Sequence, residues 1–209
     1  MRIQQLLCAL CIAAVPCTAA AQGRPFLMDA SIGAGGDAGR AAISVWRRVL
    51  SAPFNARISL GLRASAYVAM SSPYQNRGAV QGQLVPKLDI DPGVVGANVA
   101  VGAELPVGPV AFGADLDLLG IATGAEWRQG SLRGEPETAS YFQYGAADHG
   151  ALNSEFYLAF RVSARLALRA GASHYVTNYI VTDTASATSP SARYQRFETV
   201  PFVALRVRL

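Results

Sequence analysis

Two carboxylates two residues apart, Asp115 and Asp117, are the pairing in this chain that most resembles working chemistry. On an extended strand residues i and i+2 share a face. Carboxylates sharing a site can do acid–base work or hold a hard cation. Arginine is plentiful as well, and it suits the same two groups to the anionic half of a structural ion-pair network. Only two histidines exist, His149 and His174. Ser173 precedes His174, but adjacent strand residues point to opposite faces, which is poor geometry for a serine–histidine pair. The three cysteines, Cys8, Cys11 and Cys17, all stand in the first 17 residues, so the remainder has no disulfide framework, cysteine nucleophile or thiolate metal site. Gly33, Gly35 and Ala38 come near a G-x-G-x-x-A fingerprint. No acidic residue follows at the spacing a ribose needs, and these residues read as a tight turn. The expectation is therefore no metal and no cofactor.

The elements that must position these residues are extended. From Ala56 to Met70, Ile58, Leu60, Leu62, Ala64, Ala66, Val68 and Met70 alternate with Arg57, Ser59, Gly61, Arg63, Ser65 and Tyr67. One face is wholly apolar and the other is polar and charged. A soluble sandwich and a transmembrane barrel both allow this, with opposite faces inward. About 15 alternating residues at roughly 3.3 Å each favour a tilted membrane strand.

Similar alternation marks seven more segments: Phe26 to Gly35, Arg40 to Leu50, Val95 to Leu105, Val110 to Leu118, Leu152 to Val162, Leu166 to Tyr175, and Phe197 to Leu209. In the second, Ile43, Val45 and Val49 share parity with Arg47, while Ala42, Ser44, Trp46 and Arg48 oppose them. Trp46 and its arginines are expected at a membrane interface. Strand parity gathers Asp29, Glu104, Asp115, Asp117, Glu155 and Glu198 onto the polar face with Arg57, Arg63, Arg161, Arg169, Arg206 and Arg208. The second, fourth and sixth connections are short: Ser51 to Asn55, the four-residue turn Pro106 to Pro109, and Ser163-Ala164. Loops are expected at Ser71 to Pro92, Ala122 to Gly150 and Thr182 to Ala192.

The leader, residues 1–21, reads as a secretory signal peptide, with Arg2, an apolar core from Leu6 to Val15, and Ala19-Ala20-Ala21 before Gln22. Pro16 argues against lipid attachment at Cys17. Residues 22–209 then form one domain with 17 basic and 14 acidic residues, which is no electrostatic case for nucleic acid. No apolar run long enough for a membrane helix follows the leader.

With the leader, eight strands and short/long rhythm in hand, the chain resembles the small eight-stranded outer-membrane barrels of the OmpA and OmpX type. The resemblance implies an all-β, eight-stranded, antiparallel up-and-down transmembrane barrel, monomeric and exported to the outer membrane of a Gram-negative cell. It implies contact with outer-membrane lipid and lipopolysaccharide. The strand Phe197 to Leu209 is similar to the sorting signal read by the barrel-assembly machinery, although it ends on Leu209 rather than an aromatic. In such a barrel the lumen is filled by side chains, and the twelve charged residues are expected to pair there. Ser173-His174-Tyr175 also resembles the His-Tyr-Ser run of outer-membrane lipid A deacylases, but Val176 stands where their serine would be, leaving His174 as the one catalytic candidate. The aromatic residues Tyr74, Trp127, Tyr141, Phe142 and Tyr144 leave open an extracellular ligand, an interfacial girdle or simple loop packing. A structural or adhesive role, lipid A modification, a narrow channel and a secreted soluble barrel remain as alternatives. Leu60→Arg should cost on the order of 2 to 4 kcal/mol at a bilayer midplane, read by equilibrium unfolding from lipid vesicles.

Overall fold

Alternating side chains and turn residues build thirteen strands among the described residues of a computed structural model, which are 26–36, 38–51, 53–69, 74–79, 87–90, 93–143, 148–185 and 191–209. The leader and its cleavage site, Asp37, Met70 and Tyr144 lie outside them. In chain order the strands are β1 (Phe26–Gly35), β2 (Ala38–Ser51), β3 (Arg57–Ala69), β4 (Tyr74–Ala79), β5 (Lys87–Leu88), β6 (Val94–Val107) and β7 (Val110–Gly124). They continue with β8 (Trp127–Gln129), β9 (Leu132–Pro136), β10 (Ala139–Tyr141), β11 (Ala151–Arg161), β12 (Leu166–Asp183) and β13 (Ser191–Arg208).

Eight of these, β1, β2, β3, β6, β7, β11, β12 and β13, pair antiparallel in succession. The ring closes between β1 and β13, in register from Leu27 opposite Arg208 to Gly33 opposite Phe202. Closure removes the sheet edges that would otherwise be left unpaired. Polarity is inverted relative to a soluble barrel. Leu62, Ile121 and Phe156 on the outer face are 66, 63 and 66 % exposed, whereas Asp29, Arg63, Asp115, Asp117, Glu155 and Arg169 are buried inside. An apolar belt of this extent around a charged interior belongs in hydrocarbon. The fold is a transmembrane β-barrel. No helix among the described residues is long and apolar enough to cross a membrane.

One end of the barrel carries three short connections, β2–β3, β6–β7 and β11–β12. Val107 pairs with Val110, leaving a two-residue turn whose Gly108 has φ +63°, tighter than the expected four residues. Asn55, at φ 60°, ends the short 3-10 turn Pro53–Asn55 between β2 and β3. Ser163 Oγ accepts from the amides of Arg165 and Leu166 and closes the β11–β12 turn.

The opposite end departs most from the expected loops. β4 pairs with β13 and β5, β9 with β8 and β12, and β10 with β7, so the two longest connections contribute five short strands to the sheet. β12 and β13 each run 18 residues, and β13 starts at Ser191 rather than near Phe197. Backbone groups of these segments gain partners from neighbouring strands, a long-range pairing that local composition does not reveal. Two bulges also shift the phase of alternation. One, between Arg48 and Leu50, skips Val49 and sets Leu50 opposite Ile58, while Arg47 keeps the outer face with Ile43 and Val45. The other sets Val99 opposite Leu119 and Ala100 opposite Asp117, so that Leu119 and Ile121, rather than Leu118, continue the exposed outer row.

Inside, bulky rings stand beside glycine. Trp46 is 1 % exposed and faces the lumen, not an interface. Gly61 lies directly across from it on β3 and Gly102 lies close by on β6. A side chain at Gly61 would overlap the indole, so the absence of one opens the space the ring fills. Tyr157 uses Gly113 in the same way. Gly61→Ala should therefore destabilise by about 1 to 3 kcal/mol through overpacking. Combination with Trp46→Leu should recover part of that loss in a double-mutant unfolding cycle.

Candidate functional site

The barrel's inward strand parity brings five carboxylates and four arginines into one continuous network. Arg63, on β3, spans the lumen: Nη1 donates to Asp117 Oδ1 at 3.1 Å and Nη2 to Asp115 Oδ2 at 3.3 Å, with Glu155 Oε2 at 3.5 Å. Arg169, on β12, donates through Nη2 to Asp115 Oδ2 at 2.6 Å and Glu155 Oε2 at 2.9 Å, and through Nη1 to Asp29. Arg206, on β13, grips Asp29 with two bonds, Nε to Oδ1 at 2.6 Å and Nη2 to Oδ2 at 2.8 Å, and also reaches Glu104. Arg40 Nη2 meets Glu155 Oε1 at 2.5 Å.

Neutral groups complete the set. Asn98 Nδ2 and the Asn153 amide each donate to Asp117 Oδ2 at 3.0 Å. The Tyr157 hydroxyl donates to Glu104 at 2.9 Å and to Asp115 at 3.2 Å. The Arg169 guanidinium lies 3.5 Å over the Tyr157 ring, and that of Arg63 lies 5.4 Å from the Trp46 ring. Each carboxylate here has at least one arginine, the arrangement that offsets desolvation of buried charge.

Eight of the twelve charged residues expected in the lumen meet in this network: Asp29, Arg63, Glu104, Asp115, Asp117, Glu155, Arg169 and Arg206. The other four stand apart from it. Arg57, Arg161 and Arg208 line the open mouth at the turn end, because their strands leave the barrel there. Glu198 faces Tyr175 across the β12–β13 pair, farther from the turns. Arg40 was not among the expected twelve, although its parity with Ala42, Ser44 and Trp46 is the signal that marks it. Tyr157, Asn98 and Asn153 share that signal on their own strands.

Asp115 and Asp117 are thus both held by Arg63, and no group of three metal-capable side chains occurs among the described residues. The turn at Gly33 to Ala38 is a hairpin in which Gly35 pairs with Ala38 and Gly36 takes φ +57°. Ser173 and His174 diverge. Ser173 Oγ donates to Asn153 Oδ1 at 2.6 Å inside the barrel, while His174 stands on the outer face with Nδ1 2.8 Å from Thr199 Oγ1 and its ring stacked on Phe197. Val176 is buried.

His149 does join a carboxylate: Nδ1 is 2.5 Å from Glu137 Oε1. Its Nε2 faces Arg193 Nη1 at 2.9 Å, a cation in the place a nucleophile would occupy. Tyr141 stacks on the imidazole with ring centroids 4.1 Å apart. With Asn178 and Gln195 donating to the Asp148 carbonyl, this cluster clasps the β10–β11 connection to β12 and β13.

Beyond the charged layer the lumen is closed by tyrosines. Tyr67, Tyr74, Tyr175, Tyr179 and Tyr194 are all buried with Val94, Val181 and Val200. Tyr74 enters from β4, its hydroxyl 2.9 Å from Thr177 Oγ1 and its ring edge-on to Tyr179 at 5.3 Å. Of the loop aromatics, Tyr74 is therefore core, Trp127 packs against the same cluster, Tyr141 packs on His149, and Phe142 is exposed. Arg196 is buried in this layer, with its guanidinium 4.4 Å over the Tyr74 ring and, among the described residues, no hydrogen-bond acceptor for its three nitrogens.

No protein-family model and no curated protein matches the chain. Among solved structures it is similar to Neisserial surface protein A, at 11 % identity over 88 % of this chain and 96 % of that one, with a TM-score of 0.48. It is also similar to a major outer membrane protein from Thermus thermophilus, at 15 % identity over 87 % of this chain and 98 % of that one, with a TM-score of 0.36.

The two buried arginine environments predict opposite responses. Arg63→Met leaves Asp117 without its arginine and should cost about 3 to 5 kcal/mol, whereas Arg196→Met removes a buried charge that meets no carboxylate among the described residues and should be neutral or stabilising. Equilibrium denaturation of the refolded barrel in detergent checks both.

Proposed function

We propose that this chain is a closed outer-membrane barrel that presents a rigid, sheet-built platform for contacts at the cell surface, without transport or catalysis. The observation that carries the reading is the double filling of the lumen, by the Arg63–Asp115–Glu155–Arg169 network and by the tyrosine layer beyond it. In an eight-stranded barrel, whose interior is just wide enough for side chains, such filling supports a lumen without a channel. At the loop end, β4, β8, β9 and β10 are hydrogen-bonded extensions of the wall, so residues held there are ordered before any partner arrives, which lowers the cost of binding.

In this reading the short turns and both termini face the periplasm and the extended end faces outward, as in up-and-down outer-membrane barrels. The outer belt meets lipid and lipopolysaccharide, β13 is the strand offered to the assembly machinery, and one copy suffices for closure. His174 meets the Thr199 hydroxyl on the lipid-facing side, where its ring stacks on Phe197, and the Nε2 of His149 faces the Arg193 guanidinium; both arrangements favour the structural role over lipid A modification.

Three measurements test this together. The protein should fractionate with outer membranes and shift its gel mobility on heating. It should show no stepwise conductance in planar bilayers, and its deletion should leave the acyl pattern of lipid A unchanged by mass spectrometry. Recovery as a soluble periplasmic species, discrete channel openings or an altered acyl pattern would each overturn the proposal.

A further inference from the structure

At the turn end the barrel mouth opens into a cup of about 430 Å³. Among the described residues six arginines line it, Arg48, Arg57, Arg161, Arg165, Arg206 and Arg208, against a single acidic side chain, Glu104. Glu104 is already engaged, since it accepts from Arg206 and from the Tyr157 hydroxyl. Among the described residues Arg57, Arg161, Arg165 and Arg208 form no ion pair.

This is unlike the middle of the same lumen, where every guanidinium in the network meets carboxylate. Like charges gathered around one concavity repel, and field focusing in such a mouth attracts counter-anions. The ring is also built on ordered backbone. The Arg208 amide donates to the Arg165 carbonyl at 2.8 Å, and the Arg161 amide to the Pro109 carbonyl at 3.0 Å. Arg57 lies across from Glu104 in the β3–β6 register and shares strand parity with Arg63, so it belongs to the inner face of the wall. Arg47 shows the alternative, as it stands on the outer face and lies over the Phe26 ring.

We propose that this cup binds a compact polyanion bearing at least two phosphate groups. Planar guanidinium forks match phosphate oxygens two at a time. Four arginines outside any ion pair suit about four negative charges, and the volume lies within the range of small-molecule sites. Two sources carry that chemistry: the headgroup of a two-phosphate lipid in the adjoining leaflet, or a soluble phosphate ester.

The full chain, folded in neutral detergent, should be titrated with pyrophosphate in a calorimeter. Saturable binding that weakens steeply as salt rises is expected. The double variant Arg161→Gln/Arg208→Gln should lose roughly tenfold or more in affinity while keeping its thermal unfolding midpoint, and Arg47→Gln should bind as the unaltered protein does. In a second arm, phosphatidylcholine nanodiscs with and without cardiolipin distinguish the sources. Competition by cardiolipin supports a lipid headgroup in the cup, and undiminished pyrophosphate binding supports a soluble ester there. The proposal is overturned if pyrophosphate shows no saturable binding, if the double variant binds as tightly as the unaltered protein, or if Arg47→Gln weakens binding equally. Should the double variant fail to fold, Arg165→Gln in the exposed turn serves the same comparison.

Discussion

The Arg63 guanidinium, stretched across the lumen between Asp117, Asp115 and Glu155, is the contact on which the rest of the barrel depends. It links β3 to β7 and β11, which stand on another side of the ring, and Arg169 carries the same carboxylates on to Asp29 and β1. Hydrogen bonds between neighbouring strands close the wall, but they do not set what fills it. In hydrocarbon the outer face gains nothing from water exclusion between strands, so the polar interior must supply the specificity that an apolar core supplies in a soluble barrel. Removal of one partner from such a network exposes the desolvation cost of the others.

The lumen changes character along its axis. At the turn end arginines outnumber acids, at mid-barrel the two balance closely, and at the loop end tyrosine and valine take over. Each layer has its own physical logic. The mouth is wet enough to tolerate uncompensated charge, the middle is dry enough to demand pairing, and the far end is closed by rings that enter partly from β4.

Those ends also differ in construction. Short connections hold the turn end, while the loop end is extended by five short strands and by the Glu137–His149–Arg193 clasp. Under the proposed role, ordering these connections in advance lowers the cost of fixing chain on binding.

Alternation along single strands was enough to reveal the eight wall strands, their lipid and lumen faces, and eight members of the network, because side-chain direction in a strand is a local property with period two. Arg40 was legible by the same rule, since it shares parity with Ser44 and Trp46. Other features depended on partners distant in the chain. Trp46 belongs in the lumen because Gly61 and Gly102 leave room for it, and the phase of β7 changes at Leu118 because that residue is the extra one of a bulge opposite Val99 and Ala100 of β6. Arg57, Arg161 and Arg208 share parity with the network residues, yet they fall at the mouth because strand stagger and tilt, which only closure of the ring determines, decide the height at which each side chain arrives. The sequence by itself therefore determined the face each residue takes where the strand runs without a bulge, while the tertiary structure decided where the phase changes and which charges meet: direction follows from one strand, and height in the barrel follows from the register of all eight.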